Sequence, residues 1–215
     1  IPIINTPQMF GAEVADVALA YVIGLARQLF TIDRGVRDGG WPKPAGVSLA
    51  GKKVALVGYG DIGRALVKRL LACEMEVVAY DPGVASDGGL PGVQRASWPD
   101  RTEEADFVLF TCSLNERNRH MLNAEVLARC KRGVFVVNVA RGPLIYEPAL
   151  VQALQSGHVQ AAALDVFETE PLPADSPLRA MPQCVFGSHN GSNTQDAVRR
   201  ASSEAMNRLF GFLHG

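Results

Sequence analysis

Residues 53–63 read Lys-Val-Ala-Leu-Val-Gly-Tyr-Gly-Asp-Ile-Gly, an apolar run that passes directly into a glycine-rich turn. The run over 53–57 predicts a buried strand, because apolar and β-branched residues dominate it. The turn leads into an amphipathic segment that predicts a helix over 61–73. A strand, a glycine-rich turn and a helix in this order are typical of the first βαβ unit of an α/β protein.

Three glycines of this turn suit the approach of a dinucleotide. Gly58 allows the tight turn, Gly60 lets a pyrophosphate come close to the backbone, and Gly63 lets the helix pack on the strand. The unpaired N–H groups at the start of the helix favour phosphate charge. Asp81 follows Gly63 by 18 residues, close to the roughly 20 expected of a carboxylate that binds the ribose hydroxyls. Because this carboxylate repels a 2′-phosphate, the sequence predicts NAD as cofactor and a preference over NADP.

The rest of the chain alternates short apolar runs with amphipathic segments. Runs that are apolar on both faces are typical of parallel strands covered by helices, so the pattern predicts an α/β, doubly wound parallel sheet of the Rossmann type. Further strands are predicted at 76–80, 106–112, 134–139 and 160–166, and a last strand or extended segment at 183–188. Further helices are predicted at 124–130, 147–155 and 194–213.

Changes in composition indicate the domain organisation. Residues 1–50 are predicted to hold a long lead helix over 8–30 and a connector rich in glycine and proline. Residues 51–190 are predicted to form the dinucleotide-binding domain, and residues 191–215 a closing C-terminal helix.

Charge and composition argue against several classes of partner. Lys and Arg number 21 against 22 Asp and Glu, a net charge of −1, whereas nucleic-acid-binding proteins usually carry a basic excess. The most apolar stretch, 14–30, contains Asp16 and Arg27 and is too short for a membrane span. The four cysteines are far apart in the chain. We therefore expect reduced packing thiols in a cytoplasmic protein, with neither a disulfide framework nor a metal site.

Polar residues cluster after three later apolar runs: Asn-Val-Ala-Arg-Gly at 138–142, Asp-Val-Phe-Glu-Thr-Glu-Pro at 165–171 and Ser-His-Asn-Gly at 188–191. Ligands of open α/β sheets bind at the carboxyl ends of strands. Arginine grips a carboxylate with two hydrogen bonds and histidine supplies a proton, so the three motifs suit a carboxylate substrate. Taken singly, each has an ordinary alternative as a surface ion pair, a loop charge or a structural histidine. The other histidines are predicted to be surface or tail residues: His120, His158 and His214.

Together these motifs resemble the nucleotide-binding region of the D-isomer-specific 2-hydroxyacid dehydrogenases, which include D-lactate, D-glycerate and 3-phosphoglycerate dehydrogenases. The resemblance runs from Asn5 to the end of the chain and also includes Trp41 in the connector and Tyr80-Asp81-Pro82. It implies an oxidoreductase that transfers a hydride between NAD(H) and a small D-2-hydroxy acid or 2-keto acid.

The resemblance also implies roles for single residues. It implies that Arg141 binds the substrate carboxylate and carbonyl, that His189 is the acid–base, and that Glu170 pairs with His189. Asp165 is implied to lie at the nicotinamide carboxamide. The remaining cofactor positions that it implies are Asp61 and Ile62 at the pyrophosphate and Cys112, Ser113, Asn118, Val139, Ala140 and Arg141 along the cofactor. Ser188 and Asn118 depart from the proline and threonine common in the family, and neither departure removes a reacting group.

The resemblance implies a two-domain protein in which an N-terminal substrate domain precedes the NAD-binding domain. We do not recognise such a substrate domain before Asn5. The sequence therefore predicts the NAD-binding portion of a longer dehydrogenase, inactive by itself, and leaves the particular hydroxy acid open. The lead helix and connector, which form the dimer contact in the family, predict a homodimer.

A competing hypothesis is a non-catalytic, dinucleotide-sensing interaction protein of the corepressor type, because such relatives can retain the same arginine, glutamate and histidine. A resemblance to the formate dehydrogenase branch is disfavoured, because that branch is expected to have a Gln–His pair at the positions where this chain has Glu170 and His189.

Overall fold

The computed structural model describes residues 3, 5–83 and 91–214. Its strands are β1 (Lys53–Val57), β2 (Glu76–Tyr80), β3 (Val93–Arg95), β4 (Phe107–Phe110), β5 (Val134–Asn138), β6 (Val159–Leu164) and β7 (Cys184–Phe186). Its α-helices are α1 (Gly11–Ala26), α2 (Leu29–Arg37), α3 (Asp61–Ala72), α4 (Ala124–Arg129), α5 (Glu147–Gln155) and α6 (Gln195–His214).

The strands form one sheet in the order β3-β2-β1-β4-β5-β6-β7, and every neighbouring pair is parallel. The chain moves outward from β1 to β3 on one side and then returns to β4 on the other side of β1. The predicted doubly wound parallel sheet is therefore confirmed. The reversal between β1 and β4 leaves a crevice at the carboxyl ends of these two strands, which is where such sheets bind ligands.

Each face of the sheet carries its own apolar core. Alternate residues of the central strands enter opposite cores, such as Leu56 on one face and Ala55 on the other. Helices α1 and α3 cover the first face, and α4 and α5 cover the second. Phe107 and Phe135 stack within the first core with ring centroids 4.8 Å apart. Burial on both faces explains the continuous apolar runs of the strands.

Two helices, α1 and α2, replace the single lead helix predicted over 8–30. The break lies at Gln28, whose φ of 55° interrupts the helical path, and the two helices are bent by 69°. The Gln28 side-chain amide donates to the Ala45 carbonyl at 2.8 Å. On either side of the break, Gly24 and Phe30 pack closely together, since a Cβ on Gly24 would lie 2.2 Å from the Phe30 ring. The prediction of one helix was wrong because no glycine or proline marks the break.

The other predicted helices and strands lie within two residues of their expected bounds. The sequence analysis missed α2, which occupies the start of the predicted connector, and the short edge strand β3. Three residues of β3 are too few to show a periodicity. Each of the four cysteines is a free thiol: Cys130 and Cys184 are buried, and Cys73 and Cys112 are half-buried.

Polar contacts tie helix α6 to the start of α1 and to the residue pair that precedes it. Arg200 contacts the carboxylate of Glu13 at 2.6 Å and donates to the Met9 carbonyl at 3.1 Å. Several apolar side chains of α6, including Phe210 and Phe212, are exposed. In the described parts of the chain, no helix by itself has the length and hydropathy to cross a membrane; α1 and α2 meet that test only as a bent pair.

Candidate active site

A cleft of about 1160 Å³ opens at the reversal point of the sheet, between the carboxyl ends of β1, β2 and β4. The structure brings six of the predicted cofactor residues together on its walls: Gly58, Gly60, Asp81, Cys112, Ser113 and Asn118. Trp98 and Met121 also line it and were not singled out from the sequence. The cleft is the place that the sheet topology assigns to a ligand.

The glycine-rich turn has the shape that a pyrophosphate requires. A Cβ on Gly63 would lie 2.2 Å from the Gly58 carbonyl oxygen, so only glycine permits this approach of α3 to β1. Gly58 has a φ of 100°, in the region that favours glycine. By contrast, a Cβ on Gly60 would meet no atom within 4 Å, which leaves open space at the start of α3. The residues present therefore fit a dinucleotide phosphate group at this helix terminus.

The first turn of α3 contains Asp61 and Ile62, both predicted at the pyrophosphate. The Asp61 carboxylate lies beside the start of α1, since a Cβ on Gly11 would be 2.2 Å from Asp61 Oδ2. The side chain of Asp61 therefore fills the space between two helix N-termini. What these two residues can offer a phosphate is their backbone N–H groups, which have no partner within the helix.

Asp81 closes the cleft at the end of β2. Its Oδ2 accepts the N–H of Tyr59 at 2.7 Å and its Oδ1 accepts the N–H of Gly83 at 2.9 Å. These bonds fix the carboxylate against the glycine-rich turn. Each oxygen keeps a lone pair that can accept a ribose hydroxyl.

The loop after β4 forms the opposite wall and is held by Asn118. The side-chain Oδ1 of Asn118 accepts the N–H of Asn115 at 2.7 Å, and its side-chain Nδ2 donates to the backbone carbonyl of Ser113 at 2.7 Å. Cys112 is half-buried, and burial raises the pKa of its thiol to about 11. Its sulfur is therefore a neutral part of the wall near neutral pH.

Two buried polar residues shape these loops: Asn138, which belongs to a motif named in the sequence analysis, and Thr111, which the sequence analysis did not single out. The Thr111 hydroxyl donates to the Gly58 carbonyl at 2.8 Å. Asn138 accepts the N–H of Ala140 at 3.0 Å and donates to the Arg141 carbonyl at 2.9 Å. Val139 and Ala140 are buried, whereas Arg141 is exposed. A polar residue at the end of an apolar run is the sequence signal that pointed to Asn138, and it would have found Thr111 as well.

Asp165, the first residue after β6, is buried and organises the loop that carries His189. Its carboxylate accepts the N–H groups of Asn190 at 3.2 Å and Gly191 at 2.9 Å. Its backbone carbonyl accepts the N–H of His189 at 2.7 Å. Burial, together with the charge of Asp165, raises the pKa of the Tyr21 hydroxyl to about 12. The three hydrogen bonds from residues 189–191 to Asp165 tie the loop after β7 to the end of β6.

Glu170 and His189 form the predicted pair. His189 Nδ1 lies 2.7 Å from Glu170 Oε2, and Glu170 Oε1 accepts the N–H of Phe167 at 3.0 Å. Burial opposes ionisation of Glu170, but these bonds and the charge of Arg141 outweigh it, so the pKa of this carboxyl lies below its ordinary value. A carboxylate that is ionised near neutral pH favours a protonated imidazole beside it.

Two further histidines differ from what the sequence analysis expected. His120 is half-buried and contacts Glu168 through Nε2, so the prediction of an ordinary surface residue was wrong. His158 is also half-buried, and its Nε2 lies 3.0 Å from the Cys130 carbonyl oxygen. Neither partner is near in sequence, which is why the pattern did not reveal them. The side chain of His214 lies outside the described residues.

The comparisons with known proteins identify the family of the chain. A family model described as D-isomer specific 2-hydroxyacid dehydrogenase, NAD binding domain, matches residues 19–191. The chain belongs to this family. It is the NAD-binding domain of an oxidoreductase, NAD is the cofactor of that domain, and the resemblance read from the motifs is confirmed. The comparisons give no support to the corepressor alternative.

Individual relatives match nearly the whole chain. It is 37% identical over 215 residues to a hydroxypyruvate reductase of Thermotoga maritima, and the match covers 98% of this chain and 69% of the reductase. The TT0316 protein of Thermus thermophilus is 36% identical with a TM-score of 0.91, over 98% of this chain and 68% of that one. A D-isomer-specific 2-hydroxyacid dehydrogenase of Xanthobacter autotrophicus, solved with NADPH, is 32% identical with a TM-score of 0.83, over 97% and 86%.

Proposed function

We propose that the protein containing this chain reduces a small 2-keto acid to the D-2-hydroxy acid with NADH and catalyses the reverse reaction with NAD. The observation that carries the proposal is the Glu170–His189 pair, at 2.7 Å, with the Arg141 charge acting on the same carboxylate. These residues follow β5, β6 and β7, at the edge of the sheet where the dinucleotide cleft opens.

The proposed roles follow from the chemistry of the side chains. The chemistry that NADH would supply, when bound, is a hydride for the carbonyl carbon of the substrate. His189 gives a proton to the carbonyl oxygen, and Glu170 holds the imidazole in its charged form until then. Arg141 orients the substrate by two hydrogen bonds to its carboxylate, a geometry that lysine cannot match. In the reverse direction His189 accepts the hydroxyl proton.

The test is turnover of the full-length protein with NADH and a panel of 2-keto acids: glyoxylate, hydroxypyruvate, pyruvate and phosphohydroxypyruvate. We expect NADH oxidation with at least one of them, abolished by Glu170→Gln combined with His189→Ala. NADH binding without oxidation of NADH by any keto acid in the panel would contradict the proposal.

The proposed cofactor set comprises the backbone of Gly58, Gly60, Asp61, Ile62 and Gly63 at the pyrophosphate, Asp81 at the ribose, and Cys112, Ser113, Asn118, Val139, Ala140, Arg141 and Asp165 along the rest of the dinucleotide. For Asp165 we propose contact with the nicotinamide carboxamide. Support comes from the six members of this set that line the cleft and from the buried position of Asp165 at the adjoining strand end.

The preference for NADH over NADPH rests on Asp81, because its carboxylate would face a 2′-phosphate as a like charge. We expect calorimetric titration to give a lower Kd for NADH, and Asp81→Ser to narrow the ratio of the two Kd values by about tenfold, or ~1.4 kcal/mol. The NADPH complex of the Xanthobacter relative shows that the fold itself admits the phosphorylated cofactor. Equal affinities in the wild type would contradict the role of Asp81.

We further propose a cytoplasmic homodimer in which the connector takes part in the contact. The four free thiols suit a reducing compartment. Most of the apolar face of α1 is buried within the chain, so the exposed Leu29, Val36 and Trp41 carry the proposal instead. In domain terms, residues 1–50 would supply this contact, 51–190 the cofactor site and 191–215 the closing helix. Sedimentation at tens of micromolar tests the assembly, and a monomer would contradict it.

A further inference from the structure

Outside the residues assigned so far, a polar network centred on Glu168 joins three loops. Glu168 Oε1 contacts Nε2 of His120, and Glu168 Oε2 accepts the N–H of Glu147 at 2.9 Å. In return, Glu147 Oε1 accepts the N–H of Glu168 at 2.6 Å. Both carboxylate oxygens of Glu168 are therefore used, each by a different loop. We name His120, Glu147 and Glu168 the three-loop junction.

Backbone contacts around the junction keep the loops close together. The N–H of His120 donates to the Pro143 carbonyl at 2.7 Å, and the N–H of Leu122 donates to the Leu144 carbonyl at 3.1 Å. A Cβ on Gly142 would lie 1.8 Å from the carbonyl carbon of Phe167, so these two backbones touch. A displacement of one loop must therefore move the others.

Each loop carries a residue of the proposed site within two positions of this framework. Asn118 holds the loop after β4, which forms one wall of the cleft and is called the cofactor wall below. It precedes His120 by two residues. Arg141 directly precedes Gly142, and Glu170 follows Glu168 by two residues. The junction thus lies where the cofactor wall meets the substrate groups.

The side chains of the three-loop junction suit a fixed connection between the loops. Glu147 and Glu168 bring two carboxyl groups together, and burial, aided by the charge of Glu168, raises the pKa of Glu147 above its ordinary value. Nε2 of His120 lies against Glu168 Oε1, where a ring nitrogen that carries a proton can donate to this pair of carboxyl groups. The ring of His120 also packs against Tyr146, with centroids 5.0 Å apart.

We propose that His120 is a positioning residue that, through Glu168, fixes the cofactor wall relative to Arg141 and Glu170. The inference deepens the proposed function and rests on it for its kinetic consequences. It makes the binding of NADH and the rate of the chemical step depend on a side chain that need touch neither cofactor nor substrate. Misplacement of reacting groups by about 1 Å is enough to lower a rate by up to ~10²-fold.

The test uses two substitutions at His120 in the full-length protein. His120 has a φ of 54°, and asparagine tolerates this left-handed backbone better than most residues but is too short to reach Glu168. Glutamine is long enough to donate to Glu168 through its amide. We expect His120→Asn to lower kcat about tenfold and to raise the Kd of NADH several-fold, with the KM for the keto acid nearly unchanged. His120→Gln should restore both quantities.

The matched control is His158→Asn. His158 is also half-buried and bonds to a backbone carbonyl, but it lies at the amino edge of the sheet, just before β6. We expect this control to leave kcat and the Kd of NADH unchanged, even if it lowers the melting temperature. If His120→Asn lowers the melting temperature but keeps the wild-type kcat and the wild-type Kd of NADH, the inference is overturned.

The two proposals fail in different ways. If the wild type turns over no 2-keto acid, the proposed function fails, and the Kd of NADH alone then decides whether His120 positions the cofactor wall. If the wild type is active and His120→Asn matches it in both kcat and Kd, the junction has no positioning role.

Discussion

Glu170 and Glu168 lie two residues apart on one loop, and each holds a histidine from a distant part of the chain. In the first pair the side chains are 36% and 48% exposed for Glu170 and His189; in the second they are 19% and 32% exposed for Glu168 and His120. Both histidines have a left-handed backbone, with φ of 57° at His189 and 54° at His120.

The pairs differ in which ring nitrogen the carboxylate holds. Glu170 holds Nδ1 of His189, so that Nε2 is the nitrogen that the proposed mechanism uses, whereas Glu168 holds Nε2 of His120. The same two residue types therefore suit proton transfer in one place and the positioning of loops in the other. The comparison teaches that the identity of a Glu–His pair does not by itself assign its role, and the two proposed roles rest on the difference in exposure and in the ring nitrogen that is held.

The largest expected difference between the pairs is in turnover. His189→Ala removes the proposed proton donor, so kcat should fall by roughly 10²–10⁴ while the Kd of NADH stays unchanged. His120 substitutions should cost far less rate and should affect NADH. Steady-state kinetics and NADH fluorescence titration of the full-length protein check this. Wild-type turnover in His189→Ala would remove the distinction between the pairs.

Arg141 acts on Glu170, and its substitution sharpens the comparison on the substrate side. Arg141→Lys keeps the charge but loses the two-bond grip on a carboxylate, so the KM for the keto acid should rise about 10–100-fold. The matched control is Arg119→Lys, an exposed arginine on the loop that carries His120, which should leave KM unchanged. A similar rise of KM in both variants would refute a specific grip by Arg141.

Glu170→Gln tests whether this pair sets the pH limit of reduction. In the wild type the lowered pKa of Glu170 keeps it ionised as pH falls toward and below the ordinary value, so the pair is lost only in more acidic solution. A neutral partner no longer favours a charged imidazole beside it, so the upper pH limit of reduction should move to lower pH. Glu168→Gln is the control and should leave that limit in place. Superimposed profiles of Glu170→Gln and the wild type would exclude the Glu170–His189 pairing.

The smallest expected difference is in stability, and here the order of the pairs reverses. His120→Ala removes a more buried contact and leaves Glu168 with one partner fewer, which should cost about 1 kcal/mol, or a melting temperature about 2–4 °C lower. His189→Ala should cost less, because its ring is more exposed. Both variants place alanine on the same left-handed backbone, so strain cancels in the comparison of their thermal melts. A greater loss in His189→Ala would mean that exposure does not separate the pairs.

The sequence by itself determined the parts of this protein that depend on neighbours along the chain. Apolar runs and the spacing of Gly58, Gly60 and Gly63 predicted β1, α3 and the strand–helix alternation typical of a doubly wound sheet, because each of these signals lies within a few neighbouring residues. Motifs at three strand ends located Arg141 and the Glu170–His189 pair once their resemblance to a family was recognised.

Only the tertiary structure decided the features that join distant segments. Gln28 adopts a left-handed conformation where Phe30 packs on Gly24, and no local signal marks that break. His120 finds Glu168 across 48 residues, and Asp165 binds the loop of His189 from the end of another strand. Propensity and periodicity report the local backbone, whereas these contacts exist only after parallel strands have brought their carboxyl ends to one edge of the sheet.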